Sequence, residues 1–228
     1  MLHRRATTPD NQADAGLPLL LVALAVTVVF HGGLLPMTHG RTYDAFIHMF
    51  FGDHYYRSWF DPWEPRWYTG FTTTSYPPGT HMMIAGLMHL MPLRAAYVVV
   101  QLAGLLLLVV GLYRMALLWV APRAAGYAAL ALALSSSVSE TVHLFGQLPT
   151  IFSLGLFLNA LPYVFGWIVF GGLRNLGYAV VLSAATTAAH HVTVIFGGVL
   201  FVLPLAAQSL RAFAMQHGRR GRIPPRTR

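Results

Sequence analysis

The sequence predicts an all-α integral membrane protein of about six transmembrane helices, with a polar first loop on the extracytoplasmic side. Charged residues make up only 10% of the 228, where a soluble domain carries about a quarter. Apolar residues reach 56% and fall in long blocks rather than an even scatter. The basic residues are all Arg, and they stand at the ends of those blocks and in the C-terminal stretch, which is where membrane topology places them. The formal charge of +8 is therefore read as topology, with membrane lipids and not nucleic acid as the partner. Cys is absent, which excludes disulfides, thiolate metal sites and cysteine nucleophiles.

A spanning helix needs about 20 mostly apolar residues. The first is Leu17–Leu35, after a cytoplasmic N-terminal segment, 1–16, that holds Arg4 and Arg5. His31-Gly32-Gly33-Leu34-Leu35-Pro36 offers no small-x-small cleavage site, so the segment reads as an uncleaved anchor.

The outer loop, 36–93, follows. Between Tyr43 and Trp63 it carries nine Tyr, Phe and Trp residues mixed with Asp, His, Arg, Pro and Gly. That is too polar to span, and amphipathic rings favour the membrane–water interface. Gly79–Met91 is apolar but rises only about 20 Å as a helix, short of a hydrocarbon core of about 30 Å. It reads as interfacial or re-entrant, so the loop holds amphipathic juxtamembrane helices.

Five more spans are expected at Arg94–Leu118, Ala124–Ser139, Thr150–Gly171, Leu176–His190 and Val192–Leu210. They complete a single polytopic membrane domain, 17–210, and leave a basic tail, 211–228, expected to be disordered. With the N-terminus in the cytoplasm, eleven Arg fall inside and four, Arg41, Arg57, Arg66 and Arg94, outside, which obeys the positive-inside rule. Both termini are then cytoplasmic. Letting Gly79–Met91 span would move Arg123, Arg174 and the basic tail outside.

This topology gathers polar groups on the outer side: Asp44, Asp53, Asp61, Glu64 and Glu140, with His31, His39, His48, His54, His81, His143, His190 and His191. Ionisable groups are costly near a membrane, so such gathering points to a site; extramembrane loops are also simply where polar residues can live. Thr42–Trp59 reads as a helix on which Tyr43, Phe46, Ile47, Phe50 and His54 share one face. Asp44, His48 and Tyr55 share another. Asp44 and His48 are i,i+4, so they can touch or converge on one ligand, as a general-base pair or as ligands of a divalent metal. The bland alternative is a surface Asp–His contact that only stabilises the helix. Asp53 points the opposite way. Arg66 suits either a phosphate or lipid headgroups. Tyr76-Pro77-Pro78 makes a stiff turn. Glu140 and His143 are i,i+3 at the outer end of a span, ahead of Gly146-Gln147-Leu148-Pro149. Interhelical hydrogen bonding would account for His190 and His191 as well as a ligand would.

The order of Tyr43-Asp44-Ala45-Phe46-Ile47-His48, Pro65-Arg66-Trp67, Gly70-Phe71, Tyr76-Pro77-Pro78 and Gly146-Gln147-Leu148-Pro149 resembles the polytopic bacterial membrane proteins often labelled "6-pyruvoyl-tetrahydropterin synthase-related". More broadly it resembles the GT-C superfamily of glycosyltransferases, over roughly residues 15–205. The resemblance implies an extracytoplasmic active site in a bacterial cytoplasmic membrane, with a polyprenyl-phosphate-linked sugar as donor and a cell-envelope acceptor. It implies Asp44 as the essential acid, a base or metal ligand, supported by His48. Arg66 becomes a phosphate contact. Tyr76, Glu140, His143, Gln147 and His190 become further substrate-binding candidates, and a divalent metal a candidate cofactor. GT-C enzymes usually carry more spans and a soluble domain, so the resemblance implies a truncated product, a module of an enzyme with a second chain completing it, or an inactive relative. A non-catalytic subunit that binds lipid-linked sugars or scaffolds envelope assembly is the competing reading. A transporter fits less well, since no span carries a charge at its middle.

Overall fold

The computed structural model describes residues 16–220, and they are almost wholly helical. Helix α1 runs Leu17–Arg41 through a widened π turn at Thr27–His31. In the outer loop, α2 is Ala45–Arg57, β1 Trp63–Glu64, β2 Phe71–Thr72 and α3 Gly79–Leu87. Helix α4 follows at Leu93–Ala116. Then come α5, Pro122–Ala133, and α6, Ser136–Phe145, which meet at a bend of 42°. Helix α7 is Leu148–Phe170 and α8 is Leu173–Ala189. The last helix, α9, starts at His191–Gly197, widens into a π turn at Gly198–Val202 and ends as Leu203–Arg220.

Among the described residues, four helices are long and apolar enough to cross a membrane: α1, α4, α7 and α9 over His191–Arg211. Taking α5 and α6 as one broken span makes five. All six stretches expected to span are helical, yet two depart from simple spans. The third breaks at Leu134–Ser135, where a run of serines begins; short hydroxyl side chains compete with the helix for backbone hydrogen bonds. The fifth, α8, has 17 residues and is about 26 Å long. Helix α2 begins at Ala45 rather than Thr42, because Thr42 is extended, with ψ 160°; the Asp44 N–H donates to the Phe145 carbonyl (2.9 Å). The final helix runs on to Arg220, so the stretch after Leu210 expected to be disordered is helical as far as it is described. Segments 1–15 and 221–228 lie outside the described residues.

Two layers of contacts mark the ends of the bundle. At one end Gly16 packs on Pro122 and Tyr113, and the Trp119 indole N–H donates to Gln208 Oε1. At the other, Tyr43 N–H donates to the Leu144 carbonyl at 3.2 Å, Tyr97 OH faces the Gly146 carbonyl at 3.3 Å, and Gly79 lies against the Ala188 backbone. Helix α8 reverses from α7 through Gly171 and Gly172, both at positive φ (73° and 91°), and ends beside the outer loop.

Leu35, Leu105, Leu108, Ile151, Leu158 and Leu161 form the largest core, between α1, α4 and α7. The α4–α7 contact is close because a Cβ on Gly111 would meet the Gly155 carbonyl at 2.9 Å, and one on Gly155 would meet Leu108 N at 2.8 Å; small residues at such crossings let backbones approach. Asn159 completes the seam: its Nδ2 donates to the Leu107 and Gly155 carbonyls, and its Oδ1 accepts from Arg114. Helices α1 and α9 bury only 22% and 17% of their apolar windows, so their remaining Leu, Val and Phe side chains suit contact with lipid.

Candidate functional site

The end of the bundle expected to face outward is built around the backbone of Tyr43 and Asp44. Their N–H groups donate to the Leu144 and Phe145 carbonyls, at the close of α6. Gly146 follows at φ 71°, a left-handed turn that a side chain would strain. A Cβ there would also press on the Thr42 side chain and approach Ala45 N at 3.0 Å. The turn therefore seats Asp44 at the start of α2. The Asp44 side chain is half-buried and makes no hydrogen bond or ion pair among the described residues. The other acids of the loop are committed: Asp53 to Arg57 and Arg66, Asp61 to the Trp63 N–H, Glu64 to His54 and Arg66. Burial raises the Tyr76 phenol above its ordinary range, and the nearby Asp44 charge adds to the rise.

His48 does not pair with Asp44. It turns inward to His81 on α3, with Nδ1 3.1 Å from His81 Nε2. Both rings are buried. Burial pushes His48 down to about 3, with His81 and His190 adding to the fall. Burial pushes His81 down to about 4, partly opposed by the Pro77 carbonyl. Both are therefore uncharged near neutral pH. The Tyr76 ring stands 6.0 Å from His48, 5.4 Å from His81 and 6.1 Å from His190, and Phe51 stacks against it. Asp44, His48, Tyr76 and His190 thus share one region, and His81 and Tyr97 join them.

The acid–imidazole contact that does form is His54–Glu64, at 3.0 Å. Glu64, 1% exposed, also takes Arg66 in a two-pronged grip, Nε to Oε1 at 2.7 Å and a terminal nitrogen to Oε2 at 2.5 Å. The other terminal nitrogen reaches Asp53 at 2.6 Å. Arg66 is thereby held over Phe50, at the edge of an open groove of about 470 Å³ lined by Tyr43, Phe46, Ile47, Phe50, Arg66 and Trp67. The groove follows the aromatic face of α2, about 110° round the helix from Asp44 and about 150° from His48 at 100° per residue. Arg66 and Asp44 therefore serve different faces.

The remaining candidates lie elsewhere. Glu140 is exposed and makes no side-chain bond among the described residues. His143 faces into the bundle, its Nε2 2.9 Å from His31 Nδ1. Gln147 adjoins the Asp44 turn through its backbone, donating N–H to the Thr141 carbonyl. Among the described residues no three His, Asp or Glu side chains are grouped to hold a metal ion. Asp44 and His48 do not converge on one point, so this donor set does not fit a divalent cation.

No spacing rule links His48 to His81, and sequence reasoning missed that pair. One signal was available. His81, Ile84 and Ala85 recur at helical spacing and are buried together, so His81 is an imidazole on the apolar face of a short helix. No protein family, curated protein or solved structure matches this chain.

Proposed function

We propose that the chain crosses a bacterial cytoplasmic membrane six times with both ends in the cytoplasm, and that its outer layer transfers a sugar from a polyprenyl-phosphate carrier to a cell-envelope acceptor, alone or as a module of a larger enzyme. The crossing added to the five long, apolar ones is α8, fifth in chain order. Although short, it runs from the Gly171–Gly172 turn to His190, which stacks on Tyr76 in the outer layer. The Arg distribution supports the same orientation.

The observation that carries the reading is the half-buried Asp44 carboxylate at the start of α2, which makes no hydrogen bond or ion pair among the described residues and whose charge adds to the rise of the Tyr76 phenol. A carboxylate so placed can accept a hydroxyl proton as the oxygen attacks the donor sugar. The carbon–oxygen bond to the carrier phosphate breaks, and the phosphate leaves with the bonding electrons. The groove beside Tyr43 supplies aromatic surface for a sugar ring or a prenyl segment, with Trp67 and Phe50 as its walls.

One observation favours the alternative of a non-catalytic subunit that binds lipid-linked sugar or scaffolds envelope assembly. Arg66, the cation of the groove, is already held by two carboxylates, so its charge is largely spent before a phosphate arrives.

Purified protein in nanodiscs, given a polyprenyl-phosphate sugar and a membrane extract as acceptor, separates the two. The transferase reading predicts transfer that Asp44→Asn abolishes and Asp61→Asn keeps. Binding of the carrier lipid without transfer supports the subunit instead.

A further inference from the structure

At the end of the bundle opposite Asp44, two cations flank a pair of packed tyrosines. Arg114, in the last turn of α4, donates one N–H to Asn159 Oδ1 at 2.7 Å. Its guanidinium lies over the Tyr163 ring of α7, 4.9 Å from the centre. Tyr163 packs on Tyr178 of α8, with ring centres 4.8 Å apart. Arg174, one turn before Tyr178, lies 5.8 Å from the centre of that ring. Arg114 is half-buried and Arg174 exposed, and neither makes an ion pair among the described residues. Every described Asp and Glu lies in the outer loop or on α6, whereas Arg123 and Arg211 stand at this same end. Its fixed charge among the described residues is therefore positive throughout, and it complements an anion.

An open hollow of about 370 Å³ runs along the exposed face of α8, lined by Leu173, Arg174, Gly177, Tyr178 and Val181. It passes from polar to apolar along the helix. Arg174 stands at the helix end, Tyr178 one turn in, and Val181, 64% exposed, about 10 Å from Arg174 along the axis. Gly177 leaves the middle open, since a Cβ there would meet nothing within 4 Å. A phospholipid runs in the same order, from phosphate through glycerol to acyl chain. We propose that the ends of α4, α7 and α8 form a site for an anionic phospholipid, its headgroup held by Arg114 and Arg174 across the Tyr163–Tyr178 pair and an acyl chain laid along Gly177 and Val181. Guanidinium offers phosphate two parallel N–H groups, and basic recesses between membrane helices suit such headgroups. A cationic headgroup such as choline is repelled by the same charges. The site requires only that this end of the bundle meets a bilayer surface, whichever reaction the outer layer performs.

Native mass spectrometry of the full chain, released from a neutral detergent titrated with lipid, counts the phospholipids that stay bound. Phosphatidylglycerol should be retained more tightly than phosphatidylcholine with the same acyl chains. Arg114→Gln and Arg174→Gln should each weaken phosphatidylglycerol binding about fivefold, the equivalent of about 1 kcal/mol per Arg. Tyr178→Leu should weaken it as well, by removing the ring between the two cations. Arg123→Gln should leave it unchanged, because that guanidinium lies instead over Tyr127 of its own helix. Should Arg114→Gln, which alters the Asn159 seam, fail to fold, the exposed positions Arg174 and Tyr178 still decide. Equal retention of the two lipids, or an Arg174→Gln protein that binds phosphatidylglycerol as tightly as the unaltered one, overturns the proposal. An equal weakening by Arg123→Gln overturns it too, since the basic end would then attract lipid as a whole and not at a site.

Discussion

His31 and His143 lie in planes 2° apart with ring centres at 5.2 Å, joined by a 2.9 Å hydrogen bond between Nδ1 and Nε2. Each comes from a widened π turn, Thr27–His31 in α1 and Thr141–Phe145 in α6. The proton order follows from the partners. His31 Nε2 donates to the Ala133 carbonyl at 2.9 Å, so in a neutral ring its Nδ1 accepts and His143 Nε2 donates. His143 Nδ1 then accepts from the Thr38 hydroxyl at 2.8 Å. The clasp ties the broken third span to α1, one residue before the carbonyls that hold Tyr43 and Asp44.

His143→Leu removes one donor and leaves His31 Nδ1 buried without a partner, which costs about 1–3 kcal/mol. His31→Leu should cost a similar amount. The double variant should cost clearly less than the sum, because each single change already breaks the shared bond. Thermal unfolding in nanodiscs followed by Trp fluorescence checks this, and additive losses would mean that the two rings act independently.

Acid should weaken the fold through His48 and His81. Their folded values, about 3 and about 4, lie below the ordinary 6.5 because burial disfavours the charged ring. The unfolded chain therefore takes up protons near pH 6.5 that the folded chain refuses until nearer 4. Stability is full above about pH 6.5 and falls as the pH drops toward 4. Unfolding midpoints at about pH 5 and about pH 7.5 should differ by less in His81→Gln than in the unaltered protein. An unchanged difference would assign the acid sensitivity to other groups.

The Glu64 cluster should matter more than its exposed rim. Glu64→Leu strands His54 and Arg66, and breaking a buried pair in this way costs about 3 kcal/mol or more. Asp53→Asn breaks only half-exposed contacts to Arg57 and Arg66 and should cost under about 1 kcal/mol. Limited proteolysis of the 59–75 hairpin should rise sharply for the first and little for the second.

Gly146→Ala should displace Asp44 without touching it. A left-handed residue with a side chain costs about 1–2 kcal/mol, and the added Cβ would press on Thr42 and Ala45. Stability should fall modestly and sugar transfer severely. Retained transfer would show that the turn does not set the position of the carboxylate.

The helical bundle was legible because hydropathy is a one-dimensional signal: a block of Leu, Val and Ala either is or is not long enough to span. The same signal marks Gly79–Leu87 as too short to span, and the helix found there has nine residues. The break at Leu134–Ser135 was not legible, since serines are ordinary in spans and hydropathy does not register a bend. Within the site, the i,i+4 spacing of Asp44 and His48 suggested a pair. Spacing gives only which side chains can meet. Asp44 instead closes a turn against Phe145, and His48 finds a better-buried partner 33 residues away. Long-range partners such as His31 with His143 leave no trace in local periodicity.

The orientation of the outer layer is the claim on which the rest depends, and the absence of Cys makes it directly measurable. Single substitutions Thr74→Cys, in the outer loop, and Arg123→Cys, at the start of α5, introduce one thiol each at exposed positions. In intact cells treated with a membrane-impermeant maleimide, the account predicts labelling of the first and protection of the second until the membrane is opened. Labelling of Arg123→Cys but not Thr74→Cys in intact cells would put Asp44 on the cytoplasmic side and contradict it.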